Sequence, residues 1–259
     1  MKAKDLLNEM RTWADAPVED TVDTFKAGDP EREIRKVASC FIATPDVIRA
    51  AHAWGADLLI THEPTYYDHQ DHCGNIPDDP VMQRKKALIE STGMAIFRYH
   101  DHMHDRTPDG IIEGMIKALP WTDYDWDGHF ALTLKKPMTA AEVAADLEKY
   151  WNIQHVRRTG DLHTPMTRLC MMIGAYGDER QYRTLRQTDC EMVIVGETCE
   201  WRFSEYIRDA VQLGDHVALL TCGHQGSEAA GMRWLTQLIH DAHPELDVQY
   251  FECGEVYQA

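Results

Sequence analysis

The chain has 259 residues and a formal net charge of −17, from 26 Lys and Arg against 43 Asp and Glu. At 44% hydrophobic and 27% charged it has the make-up of an ordinary folded protein, with room for one large core or two smaller ones. The acidic balance argues against a nucleic-acid backbone as partner, which needs a basic footprint. No apolar run approaches the roughly 18 residues of a membrane span.

The N-terminal MKAKDLLNEMRTWADA reads as a short amphipathic helix rather than a signal peptide, so the expected location is cytoplasmic, with no membrane partner. Val18–Glu33 is polar, with a turn signal at Gly28-Asp29-Pro30. Ala38–Ala43 reads as a strand. Thr44 then caps a helix with Pro45 at its first position, an apolar face of Val47, Ile48, Ala51 and Trp54, and Gly55 at its end. The apolar run Ala56 to Ile60 is a second buried strand, making a β-α-β unit with a parallel pair. It delivers His62 and Glu63, and Pro64 stops the ladder. Ligands in open α/β sheets sit at such carboxyl ends of strands.

Tyr66–Pro80 is read as a loop, with His69, His72 and Cys73 solvated and next to the site. A helix over Val81–Thr92 closes at Gly93, and the strand Met94–Tyr99 runs into His100-Asp101-His102-Met103-His104-Asp105. Pro108–Leu119 reads as a helix. Around Trp121–His129 the composition turns acidic and aromatic, which marks a boundary. Beyond it come a strand at Phe130–Leu134, a capping box at Thr139–Glu142 opening a helix to Trp151, and strands at Ile153–Arg157 and Arg168–Ile173. The α/β rhythm returns with the strand Glu191–Val195, a helix near Phe203–Leu213, and the strand Val217–Thr221. That last strand ends in Cys222-Gly223-His224-Gln225-Gly226-Ser227-Glu228. A helix to His240, capped by Ser227, and a strand at Val248–Phe251 complete the chain.

His224 and Glu228 are one helical turn apart, so both side chains can converge on one point. With His62-Glu63 and the Asp105 region, three strand ends carry nitrogen and oxygen donors. Imidazole with carboxylate suits zinc, iron or manganese, whereas calcium or magnesium would not use the imidazoles. Five or more donors exceed one catalytic metal with an open position, and two divalent ions are the natural count. The seven cysteines (Cys40, Cys73, Cys170, Cys190, Cys199, Cys222, Cys253) are scattered without a C-x-x-C pair, so reduced thiols are expected.

Three stretches, Val22–Glu31, Thr44–Pro64 and Gly223–Glu228, resemble the NGG-interacting-factor-three-like family, also known as GTP cyclohydrolase type 2 homologues or dinuclear-metal hexameric proteins. Asp105 followed by Pro108 and Gly110 is similar to the family's short aspartate motif. The resemblance implies metal ligation by His62, Asp105, His224 and Glu228. Two adjacent histidines are usual, so Glu63 departs from the pattern. Either Glu63 becomes an oxygen ligand or one of His100, His102 and His104 replaces the missing imidazole, His104 being preferred. The implied fold is α/β with two lobes. The first, residues 1–125 plus 190–259, has a mixed, mainly parallel sheet formed from both chain ends; the second, 126–189, is a smaller inserted α+β lobe. The implied assembly is a homo-hexamer. The implied function is a dinuclear metal-dependent hydrolase acting on a small molecule, a nucleotide or purine-derived compound among the candidates, with Glu63 or His104 as catalytic base. The alternatives are a non-catalytic metal-binding assembly that stores or delivers ions or docks a partner protein, and an interaction module with incidental histidines.

Overall fold

Thr44 and Gly55 fix the first βαβ unit. The Thr44 side chain accepts the Val47 N–H, Pro45 occupies the first turn, and Gly55 leaves the helix with φ of 88°. The helix so bounded, α2 (Pro45–Trp54), joins strands β2 (Lys36–Cys40) and β3 (Leu58–Thr61), which pair in parallel. The computed structural model describes residues 1–72, 76 and 78–257; Cys73, expected in the loop with His69 and His72, lies outside them.

In order, the elements before β2 are α1 (Ala3–Arg11) and β1 (Phe25–Ala27). After β3 come α3 (Pro80–Thr92), β4 (Ala95–Arg98), the single helical turn α4 (Asp101–His104) and α5 (Gly110–Lys117). Then follow β5 (Tyr124–Trp126), β6 (Ala131–Met138), α6 (Ala140–Tyr150), β7 (Arg157–Gly160), β8 (Met166–Met172) and α7 (Asp178–Thr188). The chain ends with β9 (Met192–Val195), a π-helical turn at Glu200–Ser204, α8 (Glu205–Gln212), β10 (Ala218–Thr221), α9 (His224–Ala242) and β11 (Asp247–Tyr250).

Two compact units result: 1–111 with 232–254, and 112–231 with 255–259. The first holds a sheet of order β1-β4-β3-β2-β11, in which β4, β3, β2 and β11 are parallel and β1 is antiparallel to β4. It is the mixed, mainly parallel sheet expected from both chain ends. Ala38, Cys40, Leu59 and Ile96 of the strands pack against Val47, Ile48 and Ala51 of α2 and Ile89 of α3. β1 was expected to be loop, because three residues are too short to show an alternating pattern.

The second unit holds the sheet β5-β6-β8-β9-β10-β7, with β8, β9 and β10 parallel. The division therefore differs from the expected one. β9 and β10 hydrogen-bond to β8 and β7 rather than joining the first sheet, and only the stretch from Met232 returns to the first unit. Alternation of strand and helix cannot tell which ladder a strand joins. As a consequence the second unit is nearly as long as the first. Its core sets Met172, Val193, Val195 and Leu219 against Phe203 and Ile207.

The capping box of α6 forms as expected, with Thr139 accepting the Glu142 N–H and Glu142 accepting the Thr139 N–H. Helix α7 escaped the pattern because its buried positions are Gln181 and Thr184, which are polar. The strand expected at Ile153–Arg157 begins only at Arg157, since Ile153 and Val156 are buried without pairing. The expectation of reduced thiols is corrected at one pair: Cys170 in β8 and Cys190 before β9 are joined by a disulfide. Cys40, Cys199, Cys222 and Cys253 are free thiols. No helix among the described residues is long and apolar enough to cross a membrane.

Loss of the α2 cap should be felt across the first unit. We expect Thr44→Ala to lower unfolding free energy by about 1 kcal/mol in a urea titration; no change would show that the cap does not hold the helix.

Candidate metal-binding site

β3 and β4 are parallel neighbours with Thr61 opposite Arg98, so His62-Glu63 and Tyr99-His100 leave the first sheet at the same edge. His62 is fully buried. Its Nδ1 lies 3.3 Å from the Tyr99 carbonyl oxygen, which can only accept, so the proton belongs on Nδ1 and Nε2 carries the lone pair. His104 is arranged the same way: Nδ1 lies 2.8 Å from Asp109 Oδ2, and Nε2 faces His62 Nε2 at 3.3 Å. His100 completes the group, with Nδ1 2.8 Å from Asp101 Oδ1 and its ring stacked 4.5 Å from that of His62. One ligand atom from each of the three histidines lies within 4.8 Å of the others.

Two imidazole nitrogens at 3.3 Å, each with its Nδ1 on an oxygen, can share a proton or flank a metal ion. A proton fits poorly at His100. Burial, then the neighbouring His62 and His104, push its pKa down to about 4, against the opposing bond to Asp101. His100 is therefore a neutral nitrogen donor at pH 7. Burial works against ionisation of Asp101, but hydrogen bonds from His100, the Val22 N–H and the Thr21 hydroxyl outweigh it and hold that carboxyl well below the usual range.

Glu63 stands beside this group, with Oε1 3.8 Å from His100 Nε2 and Oε2 3.8 Å from Nη2 of Arg98. Arg98 is fully buried and donates to two carbonyls, from Nε to His62 at 2.9 Å and from Nη1 to His69 at 2.5 Å. It thus ties the loop after β3 to β4. His69 is exposed, its ring 6.1 Å from that of His100 and edge-on to it. His102 faces elsewhere and pairs with Asp23 at 2.7 Å.

Asp105 does not join the group. It caps α4 one residue beyond His104, and that step around the helix leaves its side chain exposed. The carboxylate that meets His104 is Asp109, four residues further on.

In the second unit, β10 ends at Thr221 and α9 begins at His224, earlier than the expected cap at Ser227. Ser227 is interior to the helix: its hydroxyl donates to the His224 carbonyl and accepts the Gly174 N–H, both at 2.9 Å. His224 Nε2 lies 3.3 Å from Glu228 Oε2, and its Nδ1 lies 2.9 Å from Glu197 Oε1. Glu197 was not singled out from the sequence, although it stands two residues beyond the strand β9 and that position was the available signal. Buried Gln181 donates to its carbonyl at 2.8 Å. Gly174 lies against the buried Glu228: a Cβ there would fall 2.2 Å from Glu228 Oε1. Each of the four histidines, His62, His100, His104 and His224, is thus held at Nδ1 by an oxygen and presents Nε2, the arrangement that orients metal ligands.

A family model described as Duf34/NIF3 (NGG1p interacting factor 3) matches residues 1–255. A protein of Clostridium perfringens named "GTP cyclohydrolase 1 type 2 homolog" is 22% identical over 239 residues, 88% of this chain and 87% of that one. Among solved structures, a hypothetical protein of Staphylococcus aureus superposes with a TM-score of 0.78 at 14% identity, covering 100% of this chain and 99% of its own. A Bacillus cereus protein related to NIF3 gives 0.72 at 10% identity, covering 100% and 99%.

Two outcomes follow from this geometry. Gly174→Ala meets both a φ of +63° and the Glu228 carboxylate, whereas Gly177→Ala meets a φ of +84° with nothing within 4 Å. Chemical denaturation should show Gly177→Ala losing about 1–3 kcal/mol and Gly174→Ala clearly more; equal losses would mean Glu228 yields freely. Chelator-treated protein should lose stability as pH falls from 6.5 to about 4, because the unfolded chain protonates His100 in that window and the folded chain does not. His100→Gln should flatten that slope in urea midpoints, and an unchanged slope would contradict the assignment.

Proposed function

The chain belongs to the Duf34/NIF3 family, and on that premise we propose that it is a dinuclear metal-dependent hydrolase acting on a small molecule. The observation that carries the reading is the 3.3 Å approach of His62 Nε2 to His104 Nε2, each with its Nδ1 already engaged. Such an approach is favourable around a cation. The residues fit a divalent transition ion: neutral imidazole nitrogens with carboxylates beside them suit zinc, iron or manganese.

In this reading His62 and His104 are ligands in the first unit, with Glu63 as a carboxylate ligand or as proton acceptor. His224 and Glu228 are ligands in the second. His104, its Nδ1 held by Asp109, serves as ligand rather than base. When bound, such ions supply Lewis acidity and bring the acidity of water toward neutral pH. The chain's own part is to fix the imidazoles by Asp109, Asp101, Glu197 and the Tyr99 carbonyl. Glu63, 3.8 Å from His100 Nε2, would take a proton from an attacking water. The name of the Clostridium perfringens relative directs the first substrates to purine nucleotides. With a net charge of −17, a polyphosphate would depend on bound cations to reverse the local field.

Purified protein, without a histidine tag, should be loaded with manganese, iron or zinc, its metal content measured, and nucleotides and small esters screened. We expect stoichiometric metal and a hydrolytic activity that falls by about 100-fold or more in both His62→Ala and Glu228→Ala. Activity surviving both substitutions would contradict the mechanism. Stoichiometric metal with no turnover of any substrate would favour a storage or delivery role instead.

A further inference from the structure

We infer that Asp23 and Asp101 form a reciprocal clamp that aims His100 and His104, making Asp23 a positioning residue for the candidate metal site. A single helical turn cannot orient itself, since it fixes several dihedrals for very few internal hydrogen bonds. α4 is a single turn, with bonds from Met103 and His104 N–H to the His100 carbonyl and from Asp105 N–H to the Asp101 carbonyl. Its direction must come from outside.

Asp23 supplies it. This fully buried carboxylate lies just before β1, some distance in sequence from every candidate ligand. Oδ1 accepts the N–H of His100 at 2.7 Å and of Asp101 at 3.0 Å. Oδ2 accepts the N–H of His102 at 3.0 Å and its ring Nδ1 at 2.7 Å. The N–H groups entering α4, which lack helical partners, are thus gathered on one side chain.

Asp101 returns the grip. Its Oδ2 accepts the Thr21 hydroxyl at 2.9 Å and the Val22 N–H at 3.0 Å, while its Oδ1 holds His100 Nδ1. The Thr21 hydroxyl also accepts the Asp23 N–H at 3.0 Å. Further along, the Arg98 N–H donates to the Thr24 carbonyl at 3.1 Å, so the clamp continues into the pairing of β1 with β4. Segment 21–24 and segment 98–102 are therefore locked at both ends.

The clamp also sorts the three histidines. His102 is buried, bound to Asp23 through Nδ1 and stacked 6.2 Å from the Tyr99 ring, and it is not among the three histidines whose nitrogens gather. His100 and His104, two positions either side, are left facing His62. An asparagine at position 23 offers one acceptor oxygen and turns its NH₂ toward N–H donors, so it cannot reproduce the four bonds.

The inference rests on the metal-site reading for its purpose, but its test does not need metal. Histidine ring nitrogens can be followed by long-range ¹H–¹⁵N NMR in chelator-treated, histidine-labelled protein. We expect wild-type His100 and His104 as single Nδ1–H tautomers. In Asp23→Asn both should become mixed or broadened, while His224, outside the clamp, keeps its signals and far-UV circular dichroism is retained. If Asp23→Asn does not fold, Thr21→Val removes both bonds of the Thr21 hydroxyl, to Asp101 and from the Asp23 N–H, while keeping the branched shape of the side chain, and should shift His100 in the same sense. Unchanged His100 and His104 tautomers in a folded variant would overturn the inference. A companion cobalt(II) titration separates the two claims: with the clamp intact and metal bound, Asp23→Asn should weaken cobalt affinity at least 10-fold. Absence of cobalt binding by wild type would count against the metal reading alone, because the tautomer result still decides the clamp.

Discussion

Each candidate histidine is held at Nδ1 by an oxygen that accepts, and everything else about the site depends on that constraint. A carbonyl holds His62; carboxylates hold His100, His104 and His224. Without those partners an imidazole interconverts between tautomers and rotates about its side-chain bonds. With them, Nε2 becomes the only nitrogen on offer, and its direction is inherited from the backbone that carries the anchoring oxygen. The 3.3 Å approach of two such nitrogens needs a proton or a metal ion between them, which is reason to look for the cation that they share.

The anchoring oxygens come from the architecture. Parallel strands β3 and β4 end together, so the Tyr99 carbonyl reaches His62 directly. Arg98, buried below them, spends its donors on the carbonyls of His62 and His69 and stands 3.8 Å from Glu63. A buried guanidinium is costly unless it is hydrogen-bonded and paired, and here the bonds from Nε and Nη1 and the approach of Glu63 to Nη2 all come from residues that carry the site. In the second unit the same logic runs through β9 and β10: Glu197 follows one strand, His224 follows the other, and Gly174 keeps side-chain volume away from Glu228.

Local chemistry was legible in the sequence wherever one residue type has one physical job. Thr44, Pro45 and Gly55 bound α2 as expected, and Thr139 with Glu142 opens α6. His62 and Glu63 follow β3 and His224 follows β10, where apolar runs give way to donors, and Glu228 lies one turn into α9. What was illegible depends on long-range pairing or on a single step of helix phase. Asp105 and His104 are neighbours in sequence, and only the actual turn of α4 decides that His104 faces the group while Asp105 is exposed. Asp23 and Asp109 act as hydrogen-bond acceptors for histidines, a role that leaves no spacing signature. The membership of β9 and β10 in the second sheet, and the Cys170–Cys190 disulfide, likewise follow from which strands become neighbours.

Anomalous diffraction from crystals of metal-loaded protein, collected at the zinc, iron and manganese edges, addresses the central claim most directly. The account predicts an ion bonded to Nε2 of both His62 and His104, with Nδ1 of each still on the Tyr99 carbonyl and Asp109. An ion held through Nδ1, or no anomalous peak beside these two rings, would contradict it.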